Sequence, residues 1–158
     1  MKKSIFKGIT SALMGIVLMA GLSACSKSHD DAAPANNGKT AKFTVSVNGA
    51  SSSAYVSFVM VGIGTDINNS TVWKVNGVTQ NNEKTVSLGL NNFTGSTQTY
   101  VIESVTPLQA ISVGVQCLST ANAPYTISYK AEINGKVTTD NQNVTVTNNA
   151  DFTHDYSY

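Results

Sequence analysis

Residues 41–158 predict an all-β domain, a sandwich of short antiparallel strands around one core. Three observations carry this. Apolar residues recur at every second position in segment after segment, which places them on one face of a strand. Asn, Gly and Pro punctuate those segments at short intervals, as sheet turns require. No stretch of useful length after residue 40 shows the 3.6-residue apolar period of a helix.

The elements follow in order. Ala41, Phe43, Val45 and Val47 alternate with Lys42, Thr44 and Ser46, a half-buried strand. Asn48-Gly49 is a turn, because both residues accept positive φ. Residues 54–63 are apolar on both faces, with Tyr55, Val59 and Val61 against Val56, Phe58 and Met60. Such a run predicts a strand in the middle of a packed structure. Residues 72–75 lead into Asn76-Gly77, another tight turn. Val86, Leu88 and Leu90 share a face in the strand at 84–90. Strands at 98–105 and 108–118 are split by Pro107. Tyr125, Ile127, Tyr129, Ala131 and Ile133 alternate with polar residues, and Asn134-Gly135 closes a hairpin to Lys136 and Val137. Residues 142–147 and 152–158 finish the chain. The total is about seven to nine strands, which favours an immunoglobulin-like arrangement. About 118 residues suit a single core.

The N-terminus reads differently. Lys2, Lys3 and Lys7 precede an apolar run at 9–20 that is too short to span a bilayer, which needs about 20 residues. Residues 1–24 therefore read as a secretory signal peptide. Leu22-Ser23-Ala24-Cys25 resembles the lipobox of bacterial lipoproteins. The resemblance implies that Cys25 is lipidated on sulfur, palmitate being one such acyl group, and becomes the mature N-terminus. A membrane partner then comes with the anchor, since each buried methylene contributes about 0.8 kcal/mol and several chains act together. Residue 26 is Ser, and the absence of Asp there resembles outer-membrane rather than inner-membrane lipoproteins. Ser26-Lys27-Ser28-His29-Asp30-Asp31 resembles the export signal of Bacteroidota surface lipoproteins, with Ser28 and His29 interrupting it. The expected address is the cell outer membrane, facing outward, with a periplasm-facing orientation as the alternative. Residues 25–40 read as the lipidated Cys and a flexible tether, reaching roughly 20 Å on average.

Composition narrows the function classes. Charged residues make up 12% of the chain, and arginine is absent. No basic footprint for nucleic acid exists. With Cys25 lipidated, Cys117 is the sole remaining thiol, so no intramolecular disulfide can form. It alternates with Ile111, Val113 and Val115 and reads as a small buried hydrophobe.

Motifs for catalysis and metal binding are missing. His154 is the sole histidine beyond the tether. On a strand it would share a face with Phe152, Tyr156 and Tyr158, while Asp151 and Asp155 point the other way, so no Ser-His-acid relay assembles. No Gly-x-Ser-x-Gly elbow, no His or Cys pairs at metal-ligand spacing and no calcium loop occur. The expectation is a protein that is not an enzyme and that takes no cofactor and no metal.

Aromatic residues remain as candidates. Trp73, Tyr156 and Tyr158 could form a platform on which a sugar ring stacks, among many Asn and Thr residues. Core packing is the competing reading, since sandwiches commonly bury a Trp and pack tyrosines with the hydroxyl outward.

The stretch from Leu108 through Cys117 to Ile133-Asn134-Gly135-Lys136-Val137 resembles the second half of MmpS-type transporter accessory proteins. That resemblance implies a small, membrane-tethered, immunoglobulin-like domain. The family's Pro-Trp step is absent, because Val72 precedes Trp73. The expected function is thus a surface lipoprotein presenting an interaction domain to an envelope protein partner. A small glycan-binding module is the alternative, and a fimbrial subunit a third reading.

Overall fold

A computed structural model of the chain describes residues 38–120 and 122–158. The signal peptide, the lipobox with Cys25 and most of the tether lie outside the described residues. Ten strands form: β1 (Ala41–Asn48), β2 (Ala54–Gly64), β3 (Trp73–Val75), β4 (Val78–Gln80), β5 (Thr85–Gly89), β6 (Thr99–Ser104), β7 (Leu108–Ser119), β8 (Tyr125–Ile133), β9 (Lys136–Val146) and β10 (Phe152–Ser157). One sheet has six strands in the order β4-β3-β6-β1-β8-β9, the other four in the order β10-β7-β2-β5. All pairings are antiparallel, so the domain is an all-β sandwich of two sheets.

Period-two alternation supplies the core. Phe43, Val45, Phe58, Met60, Ile102, Val113, Ile127 and Tyr129 have no solvent exposure. Each large apolar side chain so buried contributes about 1.5–3 kcal/mol. The outer face of the six-stranded sheet is charged. Lys74 pairs with Glu103 at 3.2 Å and Lys130 with Glu132 at 2.9 Å. The outer face of β2 is not charged: Tyr55, Val61 and Ile63 remain exposed there. The apolar run at 54–63 thus builds a central strand, but only one of its faces is covered.

Turn chemistry separates the three Asn-Gly pairs. Asn76 and Gly77 (φ 47° and 82°) and Asn134 and Gly135 (52° and 73°) all take positive φ and close the β3–β4 and β8–β9 hairpins. That combination is the tight turn matching strand twist. At Asn48-Gly49 only the glycine does so (φ 78°), and the chain crosses to the other sheet. The short β4 is an element the sequence pattern did not separate. β9 runs unbroken where the sequence suggested two pieces, because bulges absorb the extra residues. Register slips opposite Ile127–Tyr129 and Ala131–Glu132, and Asn143 takes φ 51°.

Residues 39 and 40 already belong to the domain. The Lys39 and Leu108 backbones exchange hydrogen bonds of 2.7 and 2.9 Å, and Asn134 N–H donates to the Thr40 carbonyl at 2.9 Å. This end also carries the β2–β3, β4–β5 and β6–β7 connections, the β8–β9 turn and Tyr158. This is the proximal end; the opposite, distal end carries the β1–β2, β7–β8 and β9–β10 loops.

Candidate functional site

β10 is the edge of the four-stranded sheet and carries an aromatic ring at every second position. Phe152, His154, Tyr156 and Tyr158 therefore share one face. Their ring centroids are spaced 4.5, 5.7 and 6.0 Å along the strand. Phe152, His154 and Tyr156 pair with Cys117, Val115 and Val113 of β7, all buried, so the ladder faces the interior. Phe152 is buried, Tyr156 and Tyr158 are half-buried, and His154 is exposed.

Behind the ladder stands Tyr129 of β8, stacked on Tyr156 at 5.1 Å and 21°. Phe43 follows, 6.3 Å from Tyr129 and 6.0 Å from Tyr158. The tyrosine hydroxyls tie the seam between β10 and β9. Tyr158 shares a 3.1 Å hydrogen bond with the Tyr129 hydroxyl and one of 3.0 Å with Thr139 Oγ1. Asn141 Nδ2 donates to the Tyr156 hydroxyl at 3.3 Å. Burial raises the pKa of the Tyr129 phenol, and its bond to Tyr158 adds to this. Burial also raises that of Tyr156, with Tyr158 nearby as a second cause.

The three aromatic candidates separate. Tyr156 and Tyr158 come together in this seam. Trp73 does not join them at the surface, which corrects its reading as a stacking residue. Its ring has no exposure, and its indole Nε1–H donates to the Lys84 carbonyl at 3.0 Å. Gly62 of β2 makes room for it: a Cβ there would lie 2.6 Å from Trp73 Cζ2. The indole packs against Phe43, with ring centroids 6.0 Å apart. Tyr129, Thr139 and Asn141 are seam residues that sequence reasoning did not assemble, whereas alternation along β10 already places His154 on one face with Tyr156 and Tyr158. The alternation in β8 put Tyr129 inward, but nothing in the pattern said which strand it would meet.

A second seam lies across the sandwich, between β5 and the β3–β4 hairpin. It holds a cleft of about 420 Å³ lined by Asn76, Gln80, Glu83, Ser87, Asn92 and Tyr100, among others. Several of its polar groups already serve the fold. Asn76 Oδ1 accepts from Val101 N–H, Asn92 Oδ1 from Gly89 N–H, and the Tyr100 hydroxyl donates to the Asn92 carbonyl. Among the described residues no three His, Cys, Asp or Glu side chains converge to hold a metal ion. Cys117 is buried, and burial pushes its thiol pKa up to about 12.

Fold and seams define a two-sheet β-sandwich domain with one aromatic and one polar seam. No family model matches the chain, and no curated protein matches it. Solved structures do. A DUF4425 family protein from Bacteroides ovatus is similar with a TM-score of 0.53 at 12% identity, over 77% of this chain and 94% of that one. A domain of unknown function, DUF4425, from Bacteroides vulgatus gives 0.53 at 13% identity, with the same coverage. The calcium-bound form of a protein from Parabacteroides distasonis gives 0.52 at 18% identity, over 80% and 98%. At these identities the likeness establishes a shared fold.

Proposed function

We propose that this chain is a non-enzymatic lipoprotein of the outer membrane or cell surface that presents its sandwich as an interaction domain. Two things support the reading: the lipobox-like Leu22-Ser23-Ala24-Cys25 and the polarity of the domain. The latter carries it. The chain enters at the proximal end, through Gly38 and Lys39. The distal loops at 49–53, 120–124 and 147–151 are built from Ser, Thr, Asn, Ala, Gly and Pro, with Asp151 as their one charged residue. An anchored domain of this kind offers a polar, uncharged end to its surroundings. Metabolic labelling with palmitate tests the anchor. The wild type should take up label and sediment with membranes, and Cys25→Ala should do neither. A labelled, membrane-bound Cys25→Ala would contradict the reading.

A glycan-binding module is the second reading, favoured by the exposed His154 within an aromatic ladder, between Phe152 and Tyr156. Aromatic faces and amide groups are the usual partners of a sugar ring. Glycan-array binding that is lost in His154→Ala would support it. Trp73 fluorescence would not report such binding, because the indole is in the core. Array silence of the wild type would remove this reading and leave the first intact.

A further inference from the structure

Asparagine is a chemically labile residue, most of all before glycine. The glycine nitrogen, uncrowded by a side chain, attacks the asparagine carboxamide carbon and expels ammonia. Three such pairs lie wholly among the described residues: Asn48-Gly49, Asn76-Gly77 and Asn134-Gly135. All six residues are exposed, so solvent access does not separate the pairs. The three glycines are equally open. A Cβ on any of them would meet nothing within 4 Å, and their N–H groups have no acceptor among the described residues.

The asparagine side chains differ. Asn76 is clasped to Val101 of β6: its N–H donates to the Val101 carbonyl and its Oδ1 accepts from Val101 N–H, both at 2.8 Å. Asn134 repeats the arrangement with Thr40. Its N–H donates to the Thr40 carbonyl and its Oδ1 accepts from Thr40 N–H, both at 2.9 Å. Both asparagines also hold the positive φ of a tight hairpin turn. For either carboxamide to reach its glycine nitrogen, it must leave its bond and strand a backbone N–H. Asn48 has no such clasp. It ends β1 opposite Thr126 of β8, and among the described residues no hydrogen bond holds its carboxamide.

We propose that Asn48 is a site of spontaneous deamidation in the folded protein, while the two clasps protect Asn76 and Asn134. Water is the one co-reactant. Gly49 N gives its proton to solvent base and bonds to Asn48 Cγ. The Cγ–Nδ2 bond breaks, and Nδ2 takes up a proton from solvent and leaves as ammonia. Water then opens the cyclic imide. Attack at Cγ leaves an aspartyl residue; attack at the backbone carbonyl leaves an isoaspartyl link, with one extra carbon in the main chain. No oxidation or reduction occurs. Either product carries a new carboxylate at the distal end, whose loops have Asp151 as their one charged residue. The distal end thus gains negative charge as the protein ages, whether or not Cys25 is lipidated.

The test keeps the full mature chain folded in mildly alkaline buffer and samples it over weeks. Arginine is absent, so trypsin cuts at lysine alone and leaves the three pairs on separate peptides: 43–74, 75–84 and 131–136. Asn37-Gly38 falls on another, 28–39, and stays out of the comparison. Mass spectrometry reads the gain of amide-to-acid conversion, and fragmentation places it. The proposal expects Asn48 to convert at least about fivefold faster than Asn76 or Asn134, the factor that one lost hydrogen bond supplies. In urea, where the clasps are gone, the three rates should converge. Asn48→Gln, whose longer side chain closes a six-membered ring far more slowly, should remove the gain from peptide 43–74. Equal rates in the folded protein, faster conversion at Asn76 or Asn134, a difference that persists in urea, or a gain that survives Asn48→Gln overturns the proposal.

Discussion

Gly62→Ala should destabilise the domain, although alanine normally suits a strand better than glycine. Gly62 lies within β2 and faces Trp73. A Cβ there would sit 2.6 Å from Cζ2 and 3.0 Å from Cε2 of that indole, and 3.2 Å from Leu108 Cδ1. The indole has little room to give. It is fully buried and pinned by its bond to the Lys84 carbonyl, which also accepts Gly62 N–H at 2.9 Å. Overpacking of this kind costs about 1–3 kcal/mol. The substitution also restricts the unfolded chain, which returns about 0.4–1 kcal/mol. The net expectation is a loss of about 1–2 kcal/mol. Urea unfolding followed by fluorescence of Trp73, the sole tryptophan, reads this directly. With a slope of about 1–3 kcal/mol per molar, the midpoint should fall by about 0.5–1 M. An unchanged or higher midpoint would refute the claim that Trp73 is locked against Gly62.

Other predictions concern the seam and titration. Tyr158→Phe removes the bonds to Tyr129 and Thr139 and should lower stability by about 1–2 kcal/mol; an unchanged melting midpoint would show that the seam is not held there. Cys117 should resist a thiol reagent in the folded protein and react fully in urea, and fast labelling without denaturant would contradict its burial. Alkali should destabilise the domain. The Cys117 thiol is raised by burial from 9.0 to about 12, so above pH 9 the unfolded chain releases a proton that the folded one keeps. Stability then falls as pH rises from about 9 toward 12, by at most about 1.4 kcal/mol per pH unit for this group. Buried Tyr125 and Tyr129, raised for the same first cause, add to the decline above pH 10. A flat stability profile between pH 8 and pH 11, measured by urea unfolding, would refute it.

Much of the fold was legible because alternation is a local signal. Ala41 to Val47 and Tyr125 to Ala131 show their buried face in their own sequence. Two Asn-Gly hairpins were legible for the same reason, since turn chemistry depends on adjacent residues. What failed depended on the other sheet. Residues 54–63 look like a doubly covered strand, yet Tyr55, Val61 and Ile63 are exposed among the described residues. The seam was legible only along β10, where alternation puts Phe152, His154, Tyr156 and Tyr158 on one face; what they meet was not. Tyr129 and Tyr158 are 29 residues apart, and their contact exists because β10 pairs with β7 while β8 lies in the facing sheet. Trp73 was ambiguous for a related reason: its pocket is made by Gly62, and a lone glycine in an apolar run does not announce the ring it accommodates.

Display of the domain outward from a lipid anchor is the central claim, and protease shaving of intact cells tests it most directly, with permeabilised cells as the control. The account predicts that intact cells release the sandwich, cut in the segment between Cys25 and the first pairing at Lys39. A domain that stays protected until the envelope is permeabilised would contradict outward display and place its partners on the inner side of the membrane.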